Sequence, residues 1–228
     1  MLALEKPVGG NAVRYFIKAF AAFAFVAVLV SAPVVPARAN AFTDFTAATA
    51  AKKAGNLDTA IRLYTRVIQS GEFSGNNLAA THYNRANTYF AMRRFDHAIV
   101  DFTRAIELKP NYAFAYINRG TAYEEKRQYD RAIADQTTAI KLKPDIPFAY
   151  INRGNAYAAK RQYDRAIADY TRAIEIKRDY AIPYDNRAKA HEKKGLLKLA
   201  IRDYRTALRL APKNPMYAHA LKRLGATP

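Results

Sequence analysis

The stretch Phe-Ala-Tyr-Ile-Asn-Arg-Gly at residues 114–120 returns unchanged at residues 148–154, which is 34 positions later. A second stretch, Lys-Arg-Gln-Tyr-Asp-Arg-Ala-Ile-Ala-Asp, occupies residues 126–135 and again residues 160–169, with the same offset. Two different stretches that share one offset indicate an internal repeat. This period decides the architecture, because each repeat forms one structural unit that stacks on the next.

On this period the chain divides into consecutive repeats. Four full copies cover residues 79–112, 113–146, 147–180 and 181–214. A weaker, degenerate copy covers about residues 41–74, and the polar, glycine-containing segment around residues 70–78 is predicted to be a loop. Residues 215–224 begin with a proline and are predicted to form a helix that caps the stack.

Each repeat has the periodicity of two short amphipathic helices joined by a turn. We number positions from the first residue of a repeat. Positions 4, 8 and 11 share one face of the first helix, and in residues 147–180 they are Tyr150, Gly154 and Tyr157. Position 8 is alanine or glycine in every full copy, which predicts that two helices approach closely there. Positions 17, 20, 21, 24 and 28 repeat the apolar pattern in the second helix.

These residues resemble the tetratricopeptide repeat family, which places aromatic residues, small residues and alanine at set positions within 34 residues. The resemblance covers about residues 41–214. It implies an all-α fold, a right-handed superhelical solenoid of antiparallel helix pairs with a C-terminal capping helix. Gln136 departs from the pattern because it replaces the aromatic residue of position 24, and we expect softer packing there without a change of fold. In one copy the matching residues are Tyr150, Gly154, Tyr157, Ala166 and Tyr170.

The first 39 residues have the layout of a secretory signal peptide. Basic residues precede an apolar run from Ala19 to Val30, and Ala37-Arg38-Ala39 supplies small residues for cleavage. The apolar run is about twelve residues long, whereas a membrane-spanning helix needs about twenty. We therefore predict a bacterial signal peptide over residues 1–39, cleaved after Ala39, and a periplasmic or secreted protein. An uncleaved anchor is the alternative.

Composition and charge restrict the partners. The chain has 228 residues, a formal net charge of +18 and no cysteine. The charge suits an acidic protein or an anionic membrane, and membrane association is expected only peripherally or through an uncleaved anchor. No nucleic acid partner is expected, because most tyrosines occupy packing positions and the chain carries an export signal. The four histidines lack metal-site spacing and no phosphate loop or serine elbow occurs, so we predict no enzyme and no cofactor.

Arginine at position 7 and aspartate at position 23 recur together in all four full copies. We predict an ion pair between the two helices of each repeat. If exposed, each pair is worth only about 0–1 kcal/mol. The predicted pairs are Arg85 with Asp101, Arg119 with Asp135, Arg153 with Asp169, and Arg187 with Asp203.

Positions 2, 6, 9 and 13 of the first helix point away from its packing face. In the tetratricopeptide family the first helices line the concave side of the superhelix, so the resemblance implies that these positions face a peptide-binding groove. The candidate groove residues are asparagines at positions 6 and 9 and apolar residues at position 2. They are Asn84, Asn118, Asn152 and Asn186, then Asn87 and Asn155, and then Phe114, Phe148 and Ile182.

An asparagine amide donates and accepts at once, as a peptide backbone does. Helices about 10 Å apart would present one asparagine to about every third residue of an extended chain. The row resembles the asparagine ladder in the superhelix of the O-GlcNAc transferases. We therefore predict an adaptor that binds an extended polypeptide. Two alternatives stay open: the asparagines only join neighbouring helices, or the protein is an envelope-assembly component that docks through its basic convex face or its array ends.

Overall fold

The computed structural model describes residues 40–227, and the predicted signal peptide lies outside them. The described chain consists of eleven α-helices joined by short turns, and it contains no strand. None of these helices has the length and apolar character needed to span a membrane. The helices are α1 Ala41–Lys53, α2 Leu57–Ser70, α3 Gly75–Ala91, α4 Phe95–Leu108, α5 Ala113–Glu125, α6 Tyr129–Leu142, α7 Pro147–Ala159, α8 Tyr163–Ile176, α9 Ala181–Lys193, α10 Leu197–Leu210 and α11 Pro215–Arg223.

Consecutive helices pack as pairs, and each pair stacks on the next through its second helix. The first helices α1, α3, α5, α7 and α9 also contact one another from repeat to repeat. The second helices make no comparable contact along the described array. The first helices are therefore closer together and form the inner side of the array, as the family resemblance implies.

The core is a series of small clusters in which alanine or glycine meets an aromatic ring. In the repeat at 79–112, Ala86 of α3 packs against Ala98 and Phe102 of α4, and all three are fully buried. In the repeat at 147–180, a Cβ added to Gly154 would lie only 2.6 Å from a ring carbon of Tyr170. The small residue at position 8 is therefore required by the close approach of the two helices, as predicted.

Gln136 occupies the place of that ring in the repeat at 113–146. Its side chain is fully buried, and its Nε2 donates to the carbonyl oxygen of Ile117 at 2.9 Å. Its Oε1 has no hydrogen-bond partner. A buried acceptor left without a partner costs about 1–3 kcal/mol. The fold continues through this repeat, and the expected weak packing takes the form of one unsatisfied polar atom.

The connection after the first repeat is shorter than the loop predicted around residues 70–78. Helix α2 continues to Ser70 and α3 already begins at Gly75, so only residues 71–74 connect them. Gly71 ends α2 in the left-handed conformation, with φ of 71°. The prediction was wrong for residues 75–78 because polar residues and glycine are also tolerated in the first turn of a helix, where backbone N–H groups have no helical partner.

The last helix closes the hydrophobic end of the array. Leu221 of α11 is fully buried beside Ala188 and Tyr204, and Tyr217 is also buried. The helix ends at Arg223, one residue before the predicted end. The repeat region forms one compact unit, and its core clusters are built from residues within it.

Candidate functional site

Buried ion pairs fix the first helix of every full repeat. In the repeat at 147–180, Nε of Arg153 donates to Oδ2 of Asp169 at 2.8 Å, and Nη2 donates to Oδ1 at 2.7 Å. The same paired geometry joins the other three predicted partners. The four aspartates are only 1–6% exposed. The small value for exposed pairs therefore does not apply, since removing one partner of a buried pair costs about 3–5 kcal/mol.

The same arginines also reach the preceding repeat, a contact that the sequence analysis missed. Each Nη1 donates to the hydroxyl of a threonine at position 25 of that repeat. The signal was available, because threonine occupies position 25 in every repeat except the last. Each arginine thus links two repeats and sets the spacing of the inner helices. The pairs are Arg85 with Thr65 at 2.8 Å, Arg119 with Thr103 at 3.0 Å, Arg153 with Thr137 at 3.1 Å and Arg187 with Thr171 at 2.9 Å.

The position-6 asparagines form a second ladder along the inner side. In three repeats the Nδ2 atom donates to the position-9 side chain of the preceding first helix. Asn84, in the first full repeat, makes no side-chain hydrogen bond to another described residue. The bonds run from Asn118 to Asn87 at 2.8 Å, from Asn152 to Thr121 at 3.1 Å and from Asn186 to Asn155 at 3.0 Å.

Each amide of the ladder has two ends with different roles. The Nδ2 ends of Asn118, Asn152 and Asn186 join neighbouring helices, which is the structural role that the sequence left open. Their Oδ1 ends accept no hydrogen bond within residues 40–227, and the side chains are only half-buried. An amide oxygen with open lone pairs can accept an N–H from a bound chain. The structure thus brings these three residues together as a row of available acceptors.

Position 2 presents an exposed apolar side chain on most first helices. The predicted residues Phe114, Phe148 and Ile182 are 45%, 53% and 42% exposed. The sequence analysis missed Phe42 and Met216, which occupy the equivalent position of α1 and α11 and are 69% and 64% exposed. Large apolar side chains exposed in series mark an interaction surface.

This apolar row lies at the edge where the first helices begin. The ring of Phe148 packs edge-on against Tyr180, the residue before α9, with the ring centroids 5.6 Å apart. Nζ of Lys143 lies 5.4 Å from the ring centroid of Phe114. The row therefore borders the asparagine ladder and does not lie within it.

Two adjoining cavities open on the inner side of the C-terminal half. The smaller, of about 270 Å³, lies between α7, α8 and α9 and is lined in part by Asn155 and Asn186. The larger, of about 740 Å³, lies between α9, α10 and α11 and includes Met216 in its wall. Both are lined by Lys189 and Lys193, so the two cavities adjoin. The sequence analysis missed the larger cavity, because α11 lies outside the repeat pattern.

The charges of the larger cavity are mostly paired. Arg223 donates to the two carboxylate oxygens of Glu192 at 2.7 and 2.9 Å, and this contact, together with the hydroxyl of Tyr204, lowers the pKa of Glu192. Lys189 pairs with Asp185 at 2.7 Å. Lys193 forms no ion pair within the described chain. The cavity therefore offers one available cation beside an apolar wall.

Glu124 is a half-buried carboxyl group near the end of α5. Burial, with a smaller contribution from Glu125, raises its pKa to about 7. It forms no ion pair with another described residue. Near neutral pH this group therefore carries a proton in part of the molecules, and it titrates where most carboxyl groups are fully ionised.

Sequence models of the tetratricopeptide repeat match the chain at residues 79–112, 147–180, 102–134 and 183–214, which together cover more than half of it. A comparison with curated proteins finds no match.

Several solved structures share the fold. A crystal structure of MamA is 27% identical, with a TM-score of 0.68, and the match covers 75% of this chain and 97% of that one. MamA from Desulfovibrio magneticus RS-1, from residue 41 to its end, is 17% identical, with a TM-score of 0.70 and coverage of 76% and 96%. YrrB, described as a tetratricopeptide protein with an unusual peptide-binding site, is 18% identical, with a TM-score of 0.67 and coverage of 80% and 92%.

Proposed function

The chain belongs to the tetratricopeptide repeat family, and from that premise we propose that it is an adaptor that binds an extended segment of a partner polypeptide along the inner side of its first helices. The family is one of protein-interaction scaffolds, so a polypeptide is the natural class of ligand. The observation that carries the proposal is the row of amide oxygens on Asn118, Asn152 and Asn186, which accept no hydrogen bond within the described chain.

The row matches the chemistry of an extended backbone. A bound chain has an N–H group at each residue other than proline, and the three oxygens recur once per repeat. The asparagines are held in place, because each Nδ2 is bonded to the preceding helix or its neighbourhood. Acceptors fixed before binding cost less conformational entropy when the ligand arrives.

The apolar edge supplies the contacts that distinguish one peptide from another. Phe114, Phe148 and Ile182 stand one repeat apart and border the asparagine row. Burying such side chains yields about 25 cal/mol for each Å² of apolar area removed from water. A ligand with large apolar residues spaced to meet them is therefore favoured.

An acidic ligand is favoured at the C-terminal end. Lys193 is unpaired and lines both cavities, while the acidic groups beside it are already paired with Lys189 and Arg223. A carboxylate of the ligand placed next to Lys193 gains an ion pair without displacing an existing one. The high net charge of the chain attracts acidic ligands at longer range.

The test is selection of ligands from a peptide library displayed on phage, followed by measurement of dissociation constants. We expect acidic peptides with spaced apolar residues. The variant Phe114→Ser/Phe148→Ser is expected to weaken their binding at least about tenfold, because the loss of two buried aromatic contacts exceeds 1.4 kcal/mol. The control Val100→Ser/Leu142→Ser changes exposed apolar residues of the second helices and is expected to leave binding within about twofold. Equal losses in both variants would contradict the groove.

We also propose that residues 1–39 direct export and that the adaptor acts in the periplasm or outside the cell. The support is the basic, apolar and cleavable layout of that segment. N-terminal sequencing of protein recovered from the periplasmic fraction is expected to start at Asn40. Recovery only from the cytoplasm, with Met1 retained, would overturn export.

A further inference from the structure

The second helix of the last repeat carries four cations in line. Lys198, Arg202, Arg205 and Arg209 follow one another at spacings of four, three and four, so they share one face of α10. All four are exposed. Eleven residues of helix place the ends of the row about 16 Å apart. We name these four residues the basic stripe.

The preceding full repeats have no such stripe at the same positions, which are 18, 22, 25 and 29. Position 18 is aspartate in all three, position 22 is valine or alanine, and position 25 is threonine. Position 29 is Glu107, Lys141 and Glu175 in turn. The last repeat thus differs at positions 18, 22 and 25 from every earlier full copy, each time in favour of a cation.

Loss of structural roles explains only part of this difference. The aspartate of position 18 pairs with a lysine of the following repeat, as in Asp96 with Lys126, and the threonine of position 25 accepts from the arginine of the following repeat. No repeat follows residues 181–214, so both roles lapse there. Their absence permits other residues at positions 18 and 25, but it does not call for cations, and it has no bearing on positions 22 and 29.

The stripe is also free of counter-charges. The segment from Lys193 to Thr227 contains nine lysines and arginines and one acidic residue, Asp203, which is buried against Arg187. No carboxylate of the described chain pairs with the stripe. By contrast, outer-face arginines of α4 and α8 are paired, Arg104 with Glu107 and Arg172 with Glu175, both at 2.8 Å.

Two exposed leucines lie at the N-terminal end of the stripe. Leu196 is 41% exposed and Leu197 is 49% exposed. They follow the turn at Gly195 in the sequence Lys-Lys-Gly-Leu-Leu-Lys, residues 193–198. Apolar side chains flanked by lysines suit a membrane interface, where the leucines enter the acyl boundary and the ammonium groups meet lipid phosphates.

We propose that the basic stripe, together with Leu196 and Leu197, is a docking surface for an anionic lipid bilayer. Each cation near an anionic surface contributes about 1 kcal/mol, and four unpaired cations act together. A nucleic acid would use the cations but would leave the leucines in water, so the combination favours a bilayer. The surface lies on second helix α10 and the groove on the first helices, so the proposal is independent of the groove.

The test is sedimentation with vesicles of phosphatidylglycerol mixed with phosphatidylcholine, compared with vesicles of phosphatidylcholine alone. The full chain and residues 40–228 are both measured, because the second contains the whole described core without the apolar N-terminal run. We expect both forms to bind the anionic vesicles. Binding by the full chain alone would assign it to the N-terminal segment and overturn the proposal.

Two variants of equal charge separate the stripe from net charge. The stripe variant is Lys198→Gln/Arg202→Gln/Arg205→Gln/Arg209→Gln, and the control is Arg104→Gln/Arg131→Gln/Arg165→Gln/Arg172→Gln. We expect the stripe variant to bind at least about tenfold more weakly and the control to change less than about threefold. Equal losses would show that net charge alone acts.

The leucines provide the second readout. The variant Leu196→Ser/Leu197→Ser keeps every charge, and it is expected to weaken vesicle binding about fivefold or more through lost apolar burial. The same two leucines are expected to be without effect on binding to a fluorescent single-stranded oligonucleotide. Stripe-dependent binding of the oligonucleotide, with no binding to vesicles, would overturn the proposal in favour of a nucleic acid. Unchanged melting by circular dichroism verifies that each variant is folded.

Discussion

Nδ2 of Asn186 donates a hydrogen bond to Oδ1 of Asn155 at 3.0 Å, across the boundary between two repeats. The same Oδ1 accepts from the hydroxyl of Tyr170, which is buried, at 2.9 Å. One amide oxygen therefore ties the first helix of the last repeat to both helices of the repeat before it. The ladder is part of the inter-repeat interface as well as of the candidate groove.

Replacement of Asn155 by alanine is expected to lower the free energy of unfolding by about 1–3 kcal/mol, because it leaves the Tyr170 hydroxyl and one N–H of Asn186 without their partner. Urea denaturation followed by circular dichroism measures the change. The matched control is Asn84→Ala, since Asn84 bonds to no described side chain, and its expected effect is below about 0.5 kcal/mol. Equal effects at both positions would contradict the role of the shared oxygen.

Replacement of Thr137 by valine is expected to cost about 1 kcal/mol, because it removes the acceptor that Arg153 reaches in the preceding repeat at 3.1 Å. The neighbouring Thr138→Val is the control, since the Thr138 hydroxyl bonds only to the carbonyl of Ala134 in its own helix. Chemical denaturation of the two variants side by side gives the comparison. A larger loss at Thr138 would mean that the inter-repeat bond contributes little.

Replacement of Gln136 by tyrosine is expected to raise the melting temperature. It removes a buried acceptor without a partner, which is worth about 1–3 kcal/mol, and Gly120 leaves room for a ring as Gly154 does beside Tyr170. The new hydroxyl would lie near Thr121, as that of Tyr170 lies near Asn155. Differential scanning calorimetry measures the shift, with Gln136→Leu as a variant that fills the space without a hydroxyl. A lower melting temperature for the tyrosine variant would contradict this account.

Glu124 is expected to make stability depend on pH. Its pKa in the folded protein is about 7, above the ordinary value of 4.5, so the unfolded chain loses this proton more readily. The contribution of Glu124 to stability is therefore fully present below pH 4.5 and is lost as the pH rises through about 7. At pH 8 the variant Glu124→Gln is expected to be more stable than the wild type by about 1–2 kcal/mol, and the difference is expected to vanish near pH 4.

The neighbouring change Glu125→Gln serves as the control for Glu124, since Glu125 is exposed and pairs weakly with Arg93 at 3.5 Å. Denaturation midpoints measured between pH 4 and pH 8 give both curves. A constant difference across that range for Glu124→Gln would show that the carboxyl group titrates normally.

The sequence by itself determined the repeat, its length and the faces of its helices. A period of 34 residues with small residues at position 8 requires paired helices that approach closely, and Gly154 against Tyr170 meets that requirement. Pairing of Arg153 with Asp169 also followed from recurrence alone. These features depend on spacing along one chain, and spacing along a helix dictates direction around its axis.

The tertiary structure decided which atoms meet and how deeply they are buried. Periodicity shows that Asn152 faces inward, but only the distance between neighbouring first helices assigns its Nδ2 to Thr121 and leaves its Oδ1 open. The burial of Asp169, the second contact of Arg153 with Thr137 and the cavity beside α11 depend likewise on how repeats stack. Hydrogen bonds form only within about 3.2 Å, and such distances between residues 16 or 31 apart in sequence are set by the packing of whole helices.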